Sequence, residues 1–233
     1  MDYLKIKSSI LEVFKECDVH SFPIDCFKLL KMYGFKTKSY NSQSSKKKQG
    51  CFVVSNDAFT LKNTVFYNDN MPYGRVRFSL MHELGHHVLG HGTPRTEQHE
   101  KEADYFASHI LAPRMAIHYA RCKNLNDVSK LFYLTYEAAD YAFQDYRRWH
   151  RYVTYHKMSE FDKSMYSHFY SDEHKKFVYT VKECTLCGRK LINFNKDSCQ
   201  SHHSLYEPRM HYHQDPLESS LLREEKRFLY GGL

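Results

Sequence analysis

Apolar residues recur at helical spacing along most of the chain, with short β-branched runs between them. In residues 3–16, Leu4, Ile10, Leu11 and Phe14 fall on one side and predict an amphipathic helix. Pro23 stands at the start of a second helix over 24–33, where Phe27, Leu30 and Met32 are apolar and Gly34 is the stop. Residues 41–50 are polar and carry Lys46, Lys47 and Lys48, which read as a solvated loop. Two short strands are predicted next, 51–55 and 64–67, joined through 56–63. Pro72 and Gly74 then turn the chain into 75–91, a stretch without proline whose Phe78, Met81, Leu84, Gly85 and Val88 make an apolar stripe ended by Gly90 and Gly92. A further helix over 97–111 puts Ala103, Phe106, Ala107, Ile110 and Leu111 on one face and closes before Pro113.

Beyond Pro113 a helix runs through Ile117 and Tyr119, followed by a helical pair over 127–133 and 135–149 with Thr135 as an N-cap. The pair has the look of a helix-turn-helix, and packing within the domain is its favoured use. Arg147, Arg148 and Arg151 are its only support for a phosphate contact. Residues 1–150 therefore read as one domain. The stretch 151–178, rich in Tyr, His and Lys without a clear period, reads as a linker with some helix. A small module follows over 179–208. In the tail, 209–233, Leu217, Leu221, Leu222, Phe228 and Leu229 predict a surface-docking helix, with His211 and His213 solvated ahead of it.

Composition narrows the class. A chain of 233 residues, 42% hydrophobic, supports one good core and a smaller appendage. No apolar run is long enough to span a bilayer, and charges interrupt 1–17, so neither anchor nor signal peptide is expected and the cytoplasm is the expected location. Seven cysteines, an odd number, argue against a complete disulfide framework and for reduced thiols or metal ligands. The formal charge of +7 is spread along the chain, which permits contact with nucleic acid without requiring it.

The chemistry concentrates in His82-Glu83-Leu84-Gly85-His86. Two histidines four apart on a helix project from one face and can hold one zinc ion, while Glu83 between them is placed to take a proton from an attacking water. A catalytic zinc needs a third protein ligand. Glu100 lies at the edge of the apolar face of the next helix, where a half-buried carboxylate needs a partner, and is the choice. Asp104, four residues on, can hold a ligand imidazole in one tautomer. His99 and Glu102 stay open as ligands, and an acidic first turn favoured by the helix dipole is the bland alternative. His109, Tyr105 and Tyr67 are all candidates to stabilise the oxyanion.

These residues carry a resemblance. Arg77 to His86, with Glu100 to Ala107 and Leu111-Ala112-Pro113 in the same order and spacing, resembles the ImmA/IrrE family of zinc metallopeptidases over about residues 24–144. Ala112 is a departure, since the family often has methionine before that proline. The resemblance implies His82, His86 and Glu100 as zinc ligands and Glu83 as the base. It implies a bacterial or phage-encoded protease that cuts helix-turn-helix repressors and releases genes of a mobile element or stress response. In metallopeptidases of this broad kind an edge strand pairs with the extended substrate backbone, and one of the two predicted strands is expected to do so.

The resemblance does not reach Cys184-Thr185-Leu186-Cys187-Gly188, a knuckle that brings two thiolates to one metal. Cys199 and His202, with His203 as a substitute, supply a matching second half, so a small structural zinc site closed to water is expected. The expectation is an α+β protein: a mainly helical zinc-peptidase domain with a small sheet beside the motif helix, and a C-terminal zinc module. Its function is that of a zinc endopeptidase acting on a repressor protein. The alternative is a non-enzymatic, zinc-containing regulator that binds DNA or a repressor.

Overall fold

The computed structural model describes residues 2–194 and 196–202. The expected tail helix and His203, His211 and His213 lie outside them. Helix α1 (Tyr3–Glu16) opens on Asp2, whose carboxylate accepts from the backbone N–H groups of Leu4 and Lys5, and it buries Ile6, Ile10, Leu11, Val13 and Phe14. Helix α2 (Cys26–Met32) starts three residues beyond Pro23, capped by Asp25 rather than by the proline. Gly34, at φ +80°, makes the left-handed turn that ends it. Strand β1 (Lys36–Ser39), helix α3 (Ser45–Val54), strand β2 (Ala58–Leu61) and strand β3 (Thr64–Tyr67) follow.

The three strands form one sheet in the order β1-β3-β2, with β1 parallel and β2 antiparallel to β3. Phe59 of β2 faces Phe66 of β3, and their rings stack with centroids 5.2 Å apart. This corrects three expectations. Residues 51–55, predicted as a strand, are mostly the last turn of α3, and the lysine-bearing loop before them is helical from Ser45. β-branching misled: Val53 is 87% exposed and only Cys51 of α3 is buried, so these side chains need no pleated surface to pack on. The strand forms instead at Ala58–Leu61, turned into β3 by Lys62 at φ +53° and Asn63. Strand β1, with the sequence Lys-Thr-Lys-Ser, has no apolar signal and exists through its ladder to β3, where Lys36 pairs with Thr64.

Helix α4 (Tyr73–Val88) and helix α5 (Glu97–Leu111) form the central packed pair. Helices α6 (Arg114–Tyr119), α7 (Leu125–Phe132), α8 (Tyr136–Tyr155) and α9 (Glu160–Phe169) wrap it. The helix-turn-helix-like pair, α7 and α8, packs into the domain: Val128 and Phe132 are fully buried. A Cβ on Gly74, at the start of α4, would lie 2.6 Å from the backbone nitrogen of Thr135 in the turn between α7 and α8. Two short antiparallel strands, β4 (Tyr170–Ser171) and β5 (Lys176–Phe177), come after α9, and β6 (Val181–Glu183) pairs with β7 (Lys190–Ile192).

The stretch 151–178 is not a linker. It contains the end of α8 and all of α9, and Met165, Phe169 and Phe177 are buried in the common core. Its anchor is Asp162, 2% exposed, which accepts from Arg114 Nη2 at 2.8 Å, Trp149 Nε1 at 3.1 Å and Ser159 Oγ at 2.7 Å. One carboxylate thus ties α6, α8 and α9, a contact across sequence that no local periodicity reports. Burial disfavours the charged form, but the bonds to Arg114, Ser159 and Trp149 outweigh it and leave the Asp162 pKa lowered. Its stabilisation is present above the ordinary carboxylate range and is lost as pH falls through the lowered value. Asp162→Ala strands the Arg114 charge and is expected to cost about 3–5 kcal/mol, read as a lower denaturation midpoint with a weaker dependence on acid pH.

By compactness the described residues divide into two units, one of 2–182 with 190–194 and one of 183–189 with 196–202. The module boundary therefore falls later than residue 179, and β7 belongs to the first unit. Among the described residues no helix is long and apolar enough to cross a membrane.

Candidate metal centre

Helix α4 carries His82 and His86 one turn apart, and α5 brings Glu100 to them. Gly85 makes this possible: a Cβ there would meet the Phe106 ring of α5 at 3.0 Å, and Phe106 is fully buried and cannot yield. The two Nε2 atoms lie 3.0 Å apart, and Glu100 Oε2 is 3.1 Å from that of His82 and 3.5 Å from that of His86. Donors bound tetrahedrally to zinc at about 2.0–2.1 Å lie about 3.3 Å from one another, and the three separations straddle that value. Two imidazoles and one carboxylate so placed could hold a metal ion, and they match the three protein ligands that a catalytic zinc takes.

Each imidazole is held from behind. His82 Nδ1 lies 2.8 Å from Asp104 Oδ1, so Nδ1–H donates to the carboxylate and Nε2 is left to face the cluster. Burial disfavours charge on His82, but Asp104 outweighs it and raises its pKa. His86 is 2% exposed, and burial, with the charges of Arg95 and His82 beside it, pushes it down to about 4, which leaves the neutral form a metal requires. Its Nδ1 is 3.0 Å from His91 Nδ1, and His91 Nε2 is 3.1 Å from Glu102 Oε2. With Nε2 of His86 facing the cluster, its Nδ1–H donates to His91, whose own Nε2–H donates to Glu102.

Glu102 is therefore a support two steps behind His86. His99 stacks on the His91 ring, with centroids 4.4 Å apart, and closes the capping box of α5 with Thr96. Neither belongs to the cluster around Glu100. Loss of either outer carboxylate, in Asp104→Ala or Glu102→Ala, is expected to weaken metal affinity about 10–100-fold in a chelator competition, with the fold retained.

Glu83 is 5% exposed. Its Oε2 accepts from Thr60 Oγ1 of β2 at 2.7 Å and from Arg95 Nη2 at 3.1 Å, while Oε1 is 3.3 Å from Arg95 Nη1. Thr60, Glu83, His86, His91 and Arg95 line a cleft of about 300 Å³. Sequence reasoning missed Thr60, His91 and Arg95, because strand β2 and the loop between α4 and α5 meet Glu83 only in the folded chain. A histidine five positions after His86 was the one available signal.

The oxyanion candidates lie elsewhere. Tyr105 and His109 stack at 3.7 Å, His109 Nε2 is 3.3 Å from Asp145, and both line a separate groove of about 530 Å³ that reaches Asp104. Tyr67 packs edge-on against Phe27 at 5.4 Å. None of the three lines the Glu83 cleft, where Arg95 and Lys62 are the lysine and arginine residues present. The structure also gathers Cys184, Cys187, Cys199 and His202 into a second cluster.

Comparison of the whole chain with curated proteins finds no match. Comparison with protein families matches residues 37–144 to the IrrE N-terminal-like domain. That span holds β2, β3 and all of β1 but Lys36, with both histidines, Glu83 and Glu100. The cluster geometry and the family match together identify this part of the chain as a zinc metallopeptidase domain of the ImmA/IrrE family.

Proposed function

We propose that the protein is a zinc-dependent endopeptidase that cleaves a helix-turn-helix transcriptional repressor in the cytoplasm and so derepresses genes of a mobile element, such as a phage, or of a stress response. A peptidase domain calls for a protein substrate. The observation that carries the mechanism is the position of Glu83, bonded to Thr60 of β2, which is an edge strand of its sheet. An extended peptide laid along β2 completes its ladder by backbone hydrogen bonds and passes the His82-His86-Glu100 cluster at Glu83. Of the strands that could have served, β2 is the edge that reaches this carboxylate. Zinc held by the cluster supplies Lewis-acid polarisation of the scissile carbonyl and a lowered pKa for water.

The chain's own residues do the rest. Glu83 accepts the proton of the attacking water and delivers it to the leaving amine. Thr60 and Arg95 fix the direction of its carboxylate. Asp104, and His91 with Glu102, keep both imidazoles aimed at the cluster. The repressor reading rests on the family resemblance, since no residue of the cleft selects a particular sequence. Its test is co-expression with the helix-turn-helix repressor encoded nearest the gene. The repressor is expected to be cut with the wild type and intact with Glu83→Gln. A wild-type enzyme that cuts other proteins and leaves repressors whole would refute the substrate and keep the peptidase.

A further inference from the structure

We propose that Cys184, Cys187, Cys199 and His202 hold one structural zinc ion, outside the matched peptidase domain, and that this ion is what folds residues 183–189 and 196–202. The proposal is independent of the peptidase reading.

Donor spacing is the first argument. Cys187 Sγ lies 3.9 Å from Cys199 Sγ, and His202 Nδ1 lies 3.7 Å from Cys184 Sγ and 3.3 Å from Cys199 Sγ. Tetrahedral zinc, with bonds of about 2.3 Å to sulfur and 2.0–2.1 Å to nitrogen, sets sulfurs about 3.8 Å apart and sulfur from nitrogen about 3.6 Å. All four donor atoms lie within 4.8 Å of one another. A disulfide would need about 2.05 Å, and all the cysteines are free thiols.

The backbone is shaped for the same end. Gly188, at φ +69°, turns the chain so that its N–H donates to the Cys184 carbonyl at 2.8 Å, while the Cys184 N–H donates to the Arg189 carbonyl at 2.9 Å. Hydrogen bonds join the two halves: the Thr185 N–H and hydroxyl both donate to the Asp197 carbonyl, at 3.0 and 3.3 Å, and the Cys199 N–H donates to Cys184 Sγ at 3.3 Å. An N–H directed at sulfur stabilises the thiolate that a metal requires.

Burial supplies the independent reason. Among the described residues of this unit the buried side chains are Cys184 and Cys199, 3% and 4% exposed, while Leu186 is 50% exposed. Among the described residues no apolar core accompanies them. Chain entropy of about 1–2 kcal/mol per ordered residue has to be offset by something else, and a four-donor zinc site, at about 10–16 kcal/mol in small zinc-binding peptides, is of the right size.

The test replaces zinc with cobalt in the full-length chain. Thiolate-bound cobalt absorbs strongly in the near ultraviolet through sulfur-to-metal charge transfer, whereas a centre of two histidines and a glutamate has no sulfur to give that band. The wild type is expected to show the band, Glu100→Ala to keep it, and Cys199→Ser to lose it together with one metal equivalent. Cys187→His, which keeps four donors, is expected to retain the metal with a weaker band, so the assignment stands or falls even if Cys199→Ser does not fold. A folded wild-type cobalt protein without the band overturns the proposal. So does a band of full strength in Cys187→His.

Discussion

Glu83→Gln is expected to retain its zinc and to lose cleavage by about 10²–10⁴-fold, the usual contribution of a positioned general base. The substitution changes little in size, and the amide still accepts from Thr60 and Arg95 through its oxygen, so β2 and the loop that carries Arg95 keep their places. What it removes is the ability to accept and return a proton in the reaction. Parallel measurement of bound metal and of substrate cleavage separates the two roles. A Glu83→Gln enzyme as active as wild type would mean that another group moves the proton.

The second large effect falls on the ligands. His86→Ala is expected to empty the catalytic centre, beyond the 10–100-fold weakening assigned to the outer carboxylates, because two donors remain where three are needed. It also leaves His91 facing a void at a buried position, so a lower denaturation midpoint is expected beside the loss of metal. Elemental analysis of the folded variant checks the metal and a thermal melt checks the stability.

How much of this could be read from the chain depends on how local each signal was. Helices α1, α4 and α5 were legible because their apolar stripes and stops lie within each element: α5 begins and ends where the run to Pro113 predicted. His82, Glu83 and His86 share one helix face, so spacing alone places them, and Glu100 needed only the phase of the next helix. Cys184 and Cys187 come together within one turn, so their proximity too is a local signal. Thr60, Arg95 and the path from His86 through His91 to Glu102 were not, since each depends on segments that meet only in three dimensions. Strand β1 failed for a related reason, its partner β3 being remote in sequence and its own residues polar. Residues 151–178 were misread because their order comes from Asp162 and scattered aromatics in place of a periodic stripe. The false strand at 51–55 shows the opposite error, with β-branched residues standing exposed at a helix end.

The most direct measurement of the central claim is zinc per chain, by elemental analysis, on the wild type and on Glu100→Ala. The expected result is two equivalents falling to one, with cleavage lost in the variant and the cysteine-bound ion kept. A zinc content unchanged by Glu100→Ala would contradict the centre formed by His82, His86 and Glu100, and with it the peptidase mechanism built on that centre.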